Sequence, residues 1–171
     1  MKGYIHVYTG NGKGKTTAAL GLSLRAVGAG KKVFFAQFVK GKIYSEIKTI
    51  SESLPEICVK QYGLGCFIIK EPTEQDIEAA QRGLKEVSDI IQSAEFDVII
   101  LDEATIALYY KLFPLNSLLE IIKLKPDHTE LVITGRYAPK ELIDAADLVT
   151  EMREIKHYYN EGIEAREGIE C

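Results

Sequence analysis

The residues with the clearest chemistry form one run, Thr9-Gly10-Asn11-Gly12-Lys13-Gly14-Lys15-Thr16-Thr17. Its glycines let the backbone curl, so that successive N–H groups can converge on an anion. Lys15 adds a mobile positive charge, and the Thr16 hydroxyl is a hard oxygen that can ligate magnesium. The run follows the alternating apolar stretch Tyr4-Ile5-His6-Val7-Tyr8 and precedes a helix-compatible stretch from Ala18 to Val27. Strand, glycine turn and helix is the context of a phosphate-binding P-loop, where the helix N-terminus adds its dipole to the same spot. The spacing departs from the usual one: Thr9 stands where glycine is ordinary, the glycine falls one later at Gly10, and Lys13 is an extra cation in mid-loop. The competing reading is a glycine-rich turn with no ligand, and the agreement of lysine, hydroxyl and flanking elements argues against it.

Two further segments end in groups suited to the same ligand. Asp97-Val98-Ile99-Ile100-Leu101-Asp102-Glu103 is an apolar strand closing on two acids, the Walker B position of nucleotide-binding folds. Either Asp102 or Glu103 can hold magnesium, directly or through water. Asp102 could instead cap the helix that follows. Leu131-Val132-Ile133-Thr134-Gly135-Arg136 is another strand end at the same edge. Thr134 and Arg136 would face the crevice, and Arg136 either binds phosphate or pairs with a local acid. Pro139 suits the first turn of the next helix.

The elements that must position these groups alternate along the chain. Strands are expected at about 3–8, 33–39, 57–62, 97–101, 130–134 and 147–152, with helices at about 15–29, 44–53, 73–93, 104–110, 115–123 and 139–146. Alternation predicts an α/β fold, a mostly parallel sheet with helices on both faces, and runs such as Val98–Leu101 suit strands buried on both sides. The longest helix carries a capping-box variant, Thr73 with Asp76, ahead of Ile77, Ala80, Leu84, Val87 and Ile91 at helical spacing. The stretch from about Met152 to Cys171 has no strong period, is rich in Glu and Gly, and is expected to wrap the surface or cover a site.

Bulk properties narrow the function. The 171 residues fit one domain, 1–171, with a sizeable core. With 46% apolar and 27% charged residues, disorder is not indicated. A net charge of -4 argues against a dedicated nucleic-acid binder. Three scattered cysteines, Cys58, Cys66 and Cys171, show no zinc spacing and no disulfide framework, so a reducing cytoplasm is the simplest location. No signal-peptide architecture and no stretch of membrane-spanning length is seen, so no membrane association is expected.

Taken together, these residues resemble the P-loop family of corrinoid adenosyltransferases. The carrying segments are Thr9–Ala19, Gln37-Phe-Val-Lys-Gly41, Leu101-Asp-Glu103 and Ile133-Thr-Gly-Arg136. To them are added Ala138-Pro-x-Glu-Leu-Ile143, Ala146–Met152, Lys156-His157 and Gly162…Gly168-Ile-Glu170. The resemblance runs from residue 3 to the C-terminus, and the Thr9 form of the loop is the family's own. It implies a single-domain RecA-like P-loop fold and an enzyme that moves the adenosyl group of ATP to the cobalt of a reduced corrinoid. Cobalt in its +1 state attacks the ribose 5′ carbon and triphosphate leaves whole, in cobalamin biosynthesis or salvage. ATP is held in the reverse sense to other P-loop proteins.

The resemblance places Gly10, Asn11, Gly12, Lys13, Gly14, Lys15, Thr16 and Thr17 on the nucleotide, with Lys13, Lys15 and Thr16 as the catalytic groups. Thr16, Asp102 and Glu103 are the metal candidates, for magnesium or for manganese in its place. Arg25 matches a basic position near the nucleotide, against the reading of a solvent-facing arginine. Gln37, Lys40 and Gly41 match a segment lining the mouth of the site, although Lys40 also reads as a solvated loop lysine. Phe67 is a candidate to displace the corrinoid's lower ligand or is a core aromatic. Some members have an aromatic pair there, whereas Gly63-Leu64-Gly65-Cys66-Phe67 has one aromatic. Some members also carry an N-terminal helix over the corrinoid, and this chain starts at its first strand. The resemblance further implies a homodimer and an electron-donating reductase. The alternatives are another P-loop ATPase or small-molecule kinase, which would release ADP, and a RecA-like nucleotide switch that turns over little without a partner.

Overall fold

The structure is a computed structural model describing residues 2–65, Ile68 and 71–170. Six strands, β1 (Ile5–Thr9), β2 (Val33–Lys40), β3 (Ile57–Gly65), β4 (Val98–Asp102), β5 (Glu130–Thr134) and β6 (Leu148–Glu151), form one sheet in the order β3-β2-β4-β5-β1-β6. Every neighbouring pair in it is parallel. The helices are α1 (Lys15–Gly28), α2 (Ser45–Ser53), α3 (Glu74–Ser93), α4 (Ala104–Tyr109), α5 (Leu115–Lys123) and α6 (Lys140–Ala145). A short 3-10 turn, Tyr158–Glu161, follows them. β5 lies between β1, which leads into the glycine loop, and β4, which ends in the acids. All three strands end at the same sheet edge, where open parallel sheets bind ligands.

The period-2 geometry of the strands sorts the core into two layers. Phe34, Ala36, Phe38, Ile99, Leu101, Leu131 and Ile133 point to one face and pack with α3 and α5 through Leu84, Val87, Ile91 and Leu118. Val33, Phe35, Val98, Ile100 and Val132 point to the other and meet Ala19 and Ala26 of α1 and Ile50 of α2. Burial on both sides explains why β2 and β4 read as continuous apolar runs.

The observed elements lie within a few residues of those expected from the sequence. The largest extension is β3, which continues to Gly65 because Gly41 N–H donates to the Gly65 carbonyl at 2.7 Å. Pro139 is the N-cap of α6, one position ahead of the expected first turn. Asp102 does not cap α4. That place belongs to Glu103, in the left-handed region at φ 57°, without a side-chain cap bond. The capping box of α3 is complete: the Thr73 hydroxyl accepts from Asp76 N–H, and the Asp76 carboxylate accepts from Thr73 N–H. Thr73→Ala should therefore lower stability by about 1 kcal/mol, or roughly 2–4 °C in melting temperature. A urea titration checks this, and an unchanged midpoint would mean that packing alone holds the helix start.

Candidate functional site

The glycine loop is built against the exit of β6. Thr9 is still a strand residue, paired with Glu151, which is why the loop proper begins one residue later than usual. Thr9 carbonyl accepts from Met152 N–H at 2.8 Å, and Gly12 N–H donates to the Met152 carbonyl at 2.7 Å. A Cβ on Gly10 would lie 2.4 Å from that same carbonyl oxygen, and Gly10 has φ 95°, so glycine is required there on both counts. Lys15 is 7% exposed, and its Nζ donates to the carbonyls of Gly10 (2.8 Å) and Gly12 (2.6 Å) at the loop's centre. Burial pulls its amine below the usual lysine range; Arg136 and Lys40 add to this, and Glu103 and Asp102 oppose it. Among the described residues no carboxylate lies within 4 Å of this ammonium, a setting that favours an incoming anion.

Behind the loop stands Asp102, 0% exposed. Its Oδ1 accepts from Thr16 Oγ1 (2.9 Å) and Thr134 Oγ1 (2.6 Å), and its Oδ2 from Gln37 Nε2 (3.0 Å). Gln37 thus differs from the sequence expectation. It is fully buried, in register with Asp102 across β2 and β4, and it orients the carboxylate instead of lining the mouth. Glu103 faces the clefts, with its N–H donating to Thr134 Oγ1 at 3.1 Å and its carboxylate 3.6 Å from Lys40 Nζ. Burial, and then the Asp102 charge, push the Glu103 carboxyl above the usual carboxylate range. Thr16, Asp102 and Glu103 together offer the hard oxygens that magnesium takes. Among the described residues no group of three or more His, Cys, Asp or Glu could hold a metal by itself. A metal at this place fits best when a ligand brings further oxygens.

Two clefts adjoin here. One, of about 450 Å³, is lined by Gly12 to Thr17, Lys40, Glu103, Arg136 and residues of the C-terminal stretch. The other, of about 340 Å³, shares Lys40, Glu103 and Arg136 but is otherwise walled by Val39, Ile68, Ile106, Tyr109, Tyr110 and Tyr137. Arg136 lines both clefts and has no ion pair among the described residues. Arg25 and Asn11 are exposed and line neither cleft. Phe67 lies outside the described residues.

The C-terminal stretch covers the loop, as its composition allowed. Lys13 Nζ donates to Glu170 Oε1 (2.8 Å), the Ile169 carbonyl (2.9 Å) and Tyr158 OH (3.2 Å). Glu170 also accepts from Arg166 and the Tyr158 hydroxyl, and its carboxyl is held well below the usual range by Arg166 first, then Lys13 and Tyr158. His157, Gly168 and Ile169 line the loop-side cleft beside it. The pairing of Lys13 with Glu170 spans 157 positions, so no local pattern in the sequence could have shown it.

Comparison with known proteins decides among P-loop chemistries. A model of the family "ATP:corrinoid adenosyltransferase BtuR/CobO/CobP" matches residues 1–171. The chain belongs to the corrinoid adenosyltransferase family. Corrinoid adenosyltransferase CobA of Salmonella typhimurium is 34% identical over 169 residues, covering 99% of this chain and 86% of that one. Corrinoid adenosyltransferases of Escherichia coli K12 and Pseudomonas aeruginosa PAO1 are 33% and 34% identical, again over 99% of this chain, and over 86% and 84% of theirs. The flagellar accessory protein FlaH of Methanocaldococcus jannaschii, a solved structure, matches with a TM-score of 0.63 at 12% identity, over 88% of this chain and 71% of that one. That likeness concerns the fold. Among the described residues of this adenosyltransferase no helix is long and apolar enough to cross a membrane.

Because Glu170 gathers every contact described for Lys13 with a carboxylate, Glu170→Ala should loosen the C-terminal cover and leave the sheet alone. Hydrogen exchange should accelerate across residues 153–170, while the melting temperature moves by no more than about 2 °C. Exchange that stays as slow as in the parent would mean that the cover is held by other contacts.

Proposed function

We propose that the two adjoining clefts divide the substrates of the family's reaction, with ATP in the loop-lined cleft and the reduced corrinoid in the aromatic one. The observation that carries this reading is the shared wall of Lys40, Glu103 and Arg136, which lines both compartments. Adenosyl transfer needs the cobalt and the ribose 5′ carbon to meet in line, and effective positioning is worth much of the barrier. The cobalt(I) electron pair forms the Co–C5′ bond as the C5′–O bond breaks. That bond's electrons leave with the triphosphate, and cobalt becomes formally +3. No protein nucleophile or base is required. The chain's task is to hold both partners and to stabilise charge on the departing oxygen and along the triphosphate.

Lys15 and the backbone N–H groups of Gly12 to Thr16 cradle the phosphates. Lys13 exchanges Glu170 for a phosphate oxygen, and Arg136 and Lys40 neutralise the end nearer the shared wall. Thr16 and Glu103 would hold a magnesium ion arriving with the nucleotide, and Asp102 would orient the Thr16 hydroxyl. When bound, the ion supplies positive charge against the triphosphate. We assign the whole chain, 1–171, to one domain, acting as a homodimer in the cytoplasm. There a reducing milieu suits the free thiol of Cys58, and a reductase delivers the electron to cobalt.

An anaerobic assay with chemically reduced cobalamin, ATP and magnesium tests the reading by following the corrinoid spectrum and phosphate products together. Adenosylcobalamin with intact triphosphate is expected; ADP and phosphate with unchanged corrinoid would reject it in favour of an ordinary ATPase or kinase. Lys15→Ala should cost at least about 100-fold in kcat/KM, with the far-ultraviolet spectrum of the parent, and near-parent activity would reject the loop as the site. Adding EDTA should stop turnover and excess magnesium should restore it. Turnover that persists in EDTA would remove the ion from the mechanism.

A further inference from the structure

Tyr109 and Tyr137 stand where neither the core nor the phosphate cleft needs them. Their rings stack with centroids 4.5 Å apart and planes 30° from parallel, yet they are 58% and 53% exposed. Tyr110 meets Tyr109 edge-on at 5.4 Å and anchors itself by donating its hydroxyl to the Ile68 carbonyl at 3.1 Å. Tyr137 has φ 60°, in the left-handed region that glycine adopts freely and a bulky L residue rarely does. Its neighbours fix it in place: Arg136 carbonyl accepts from Thr105 Oγ1 at 2.6 Å, and Pro139 starts α6 two residues on. An exposed aromatic held in a strained backbone conformation is a cost to the folded state. Strain of this kind persists where the surroundings over-determine it, and such sites cluster at ligand clamps.

The pair also divides two cavities. On one side is the aromatic cleft of about 340 Å³ that shares Lys40, Glu103 and Arg136 with the phosphate cleft. On the other is a mostly apolar cavity of about 490 Å³ lined by Leu108, Phe113, Leu115 and Pro139 as well as both tyrosines, with Lys111 as its one charged residue among those described. We infer that the Tyr109–Tyr137 pair is the platform on which the corrin macrocycle of the second substrate lies, with the substrate's outer parts reaching into the apolar cavity. This inference rests on the assignment of the aromatic cleft to the corrinoid. A stacked aromatic edge offers flat apolar area at little entropic cost, which suits a broad ring and not a phosphate. Its place next to the shared charged wall puts a ring resting on it beside the nucleotide. Tyr109 and Tyr137 are then specificity and positioning residues for the corrinoid, with no part in holding ATP.

Tyr137→Gly and Tyr109→Ala, with Tyr109→Phe as control, test the inference. Glycine at 137 relieves the backbone, so a purely structural tyrosine predicts a variant at least as stable and fully active. The platform predicts a stable variant whose KM for chemically reduced cobalamin rises about tenfold, the scale of a lost aromatic contact. Its KM for ATP and its kcat at saturating corrinoid should stay within twofold of the parent. Tyr109→Ala should behave alike, and Tyr109→Phe should keep the parent KM. An unchanged corrinoid KM in both Tyr137→Gly and Tyr109→Ala would overturn the inference, as would loss of a dimer in sedimentation with KM intact, which would make the pair a subunit contact. If the parent itself forms no adenosylcobalamin, the assignment of the clefts fails. If the parent is active and the variants match it, only the platform does.

Discussion

A buried carboxylate organises the site. Asp102 is fully buried at the end of β4, and a carboxyl group in that position must be matched by hydrogen-bond partners or it destabilises the fold. The donors come from three separate elements: Thr16 on α1, Thr134 on β5 and Gln37 on β2. Gln37 is in turn fixed by Gln61 of β3, whose Nε2 donates to its Oε1 at 2.8 Å. One side chain therefore sets the start of the loop helix relative to four strands of the sheet. The Thr134 hydroxyl serves twice, donating to Asp102 and accepting from Glu103 N–H. It thereby holds Glu103 in its left-handed conformation with its carboxylate toward the clefts.

The glycine loop depends on a second constraint, from the opposite side. Met152, just past β6, bonds to both Thr9 and Gly12 through its backbone. The loop is clamped between this exit and the Asp102 network, so its shape is fixed by the sheet. The chain beyond Met152 then returns over the loop and closes on Lys13. A single carboxylate on Lys13 is a weaker partner than a polyphosphate of several charges. A nucleotide bound as proposed would replace this contact without disturbing the core.

The sequence was most informative where the governing forces are local. The glycine loop, the capping box of Thr73 and Asp76, the buried apolar runs of β2 and β4 and the alternation of strand and helix could all be read from neighbouring residues. Parallel order followed from that alternation. What escaped was set by distant pairing. Gln37 was expected at the mouth because the family segment it belongs to lines the site, and only the strand register sets it opposite Asp102. The pairing of Lys13 with Glu170 escaped because Glu170 lies at the other end of the chain. Tyr109 and Tyr137 carried no signal at all: they meet only when α4 and the turn after β5 come together, and the left-handed backbone of Tyr137 has no mark in its residue type.

The distribution of cations distinguishes the chemistry that the two clefts suit. A phosphoryl transferase concentrates its cations and its base around one terminal phosphorus and the acceptor hydroxyl. Here Asp102 is saturated by donors, and Glu103 is tied to Lys40. The cations form a line: Lys13 under the C-terminal cover, Lys15 in the loop, and Lys40 and Arg136 at the wall shared with the aromatic cleft. In the proposed division of the clefts the ribose 5′ end lies at that shared wall, with the triphosphate running back toward the loop. A line of positive charge along the departing group is then what the reaction needs, since the bond that breaks delivers its electrons to the near end of a chain that must spread them over its whole length.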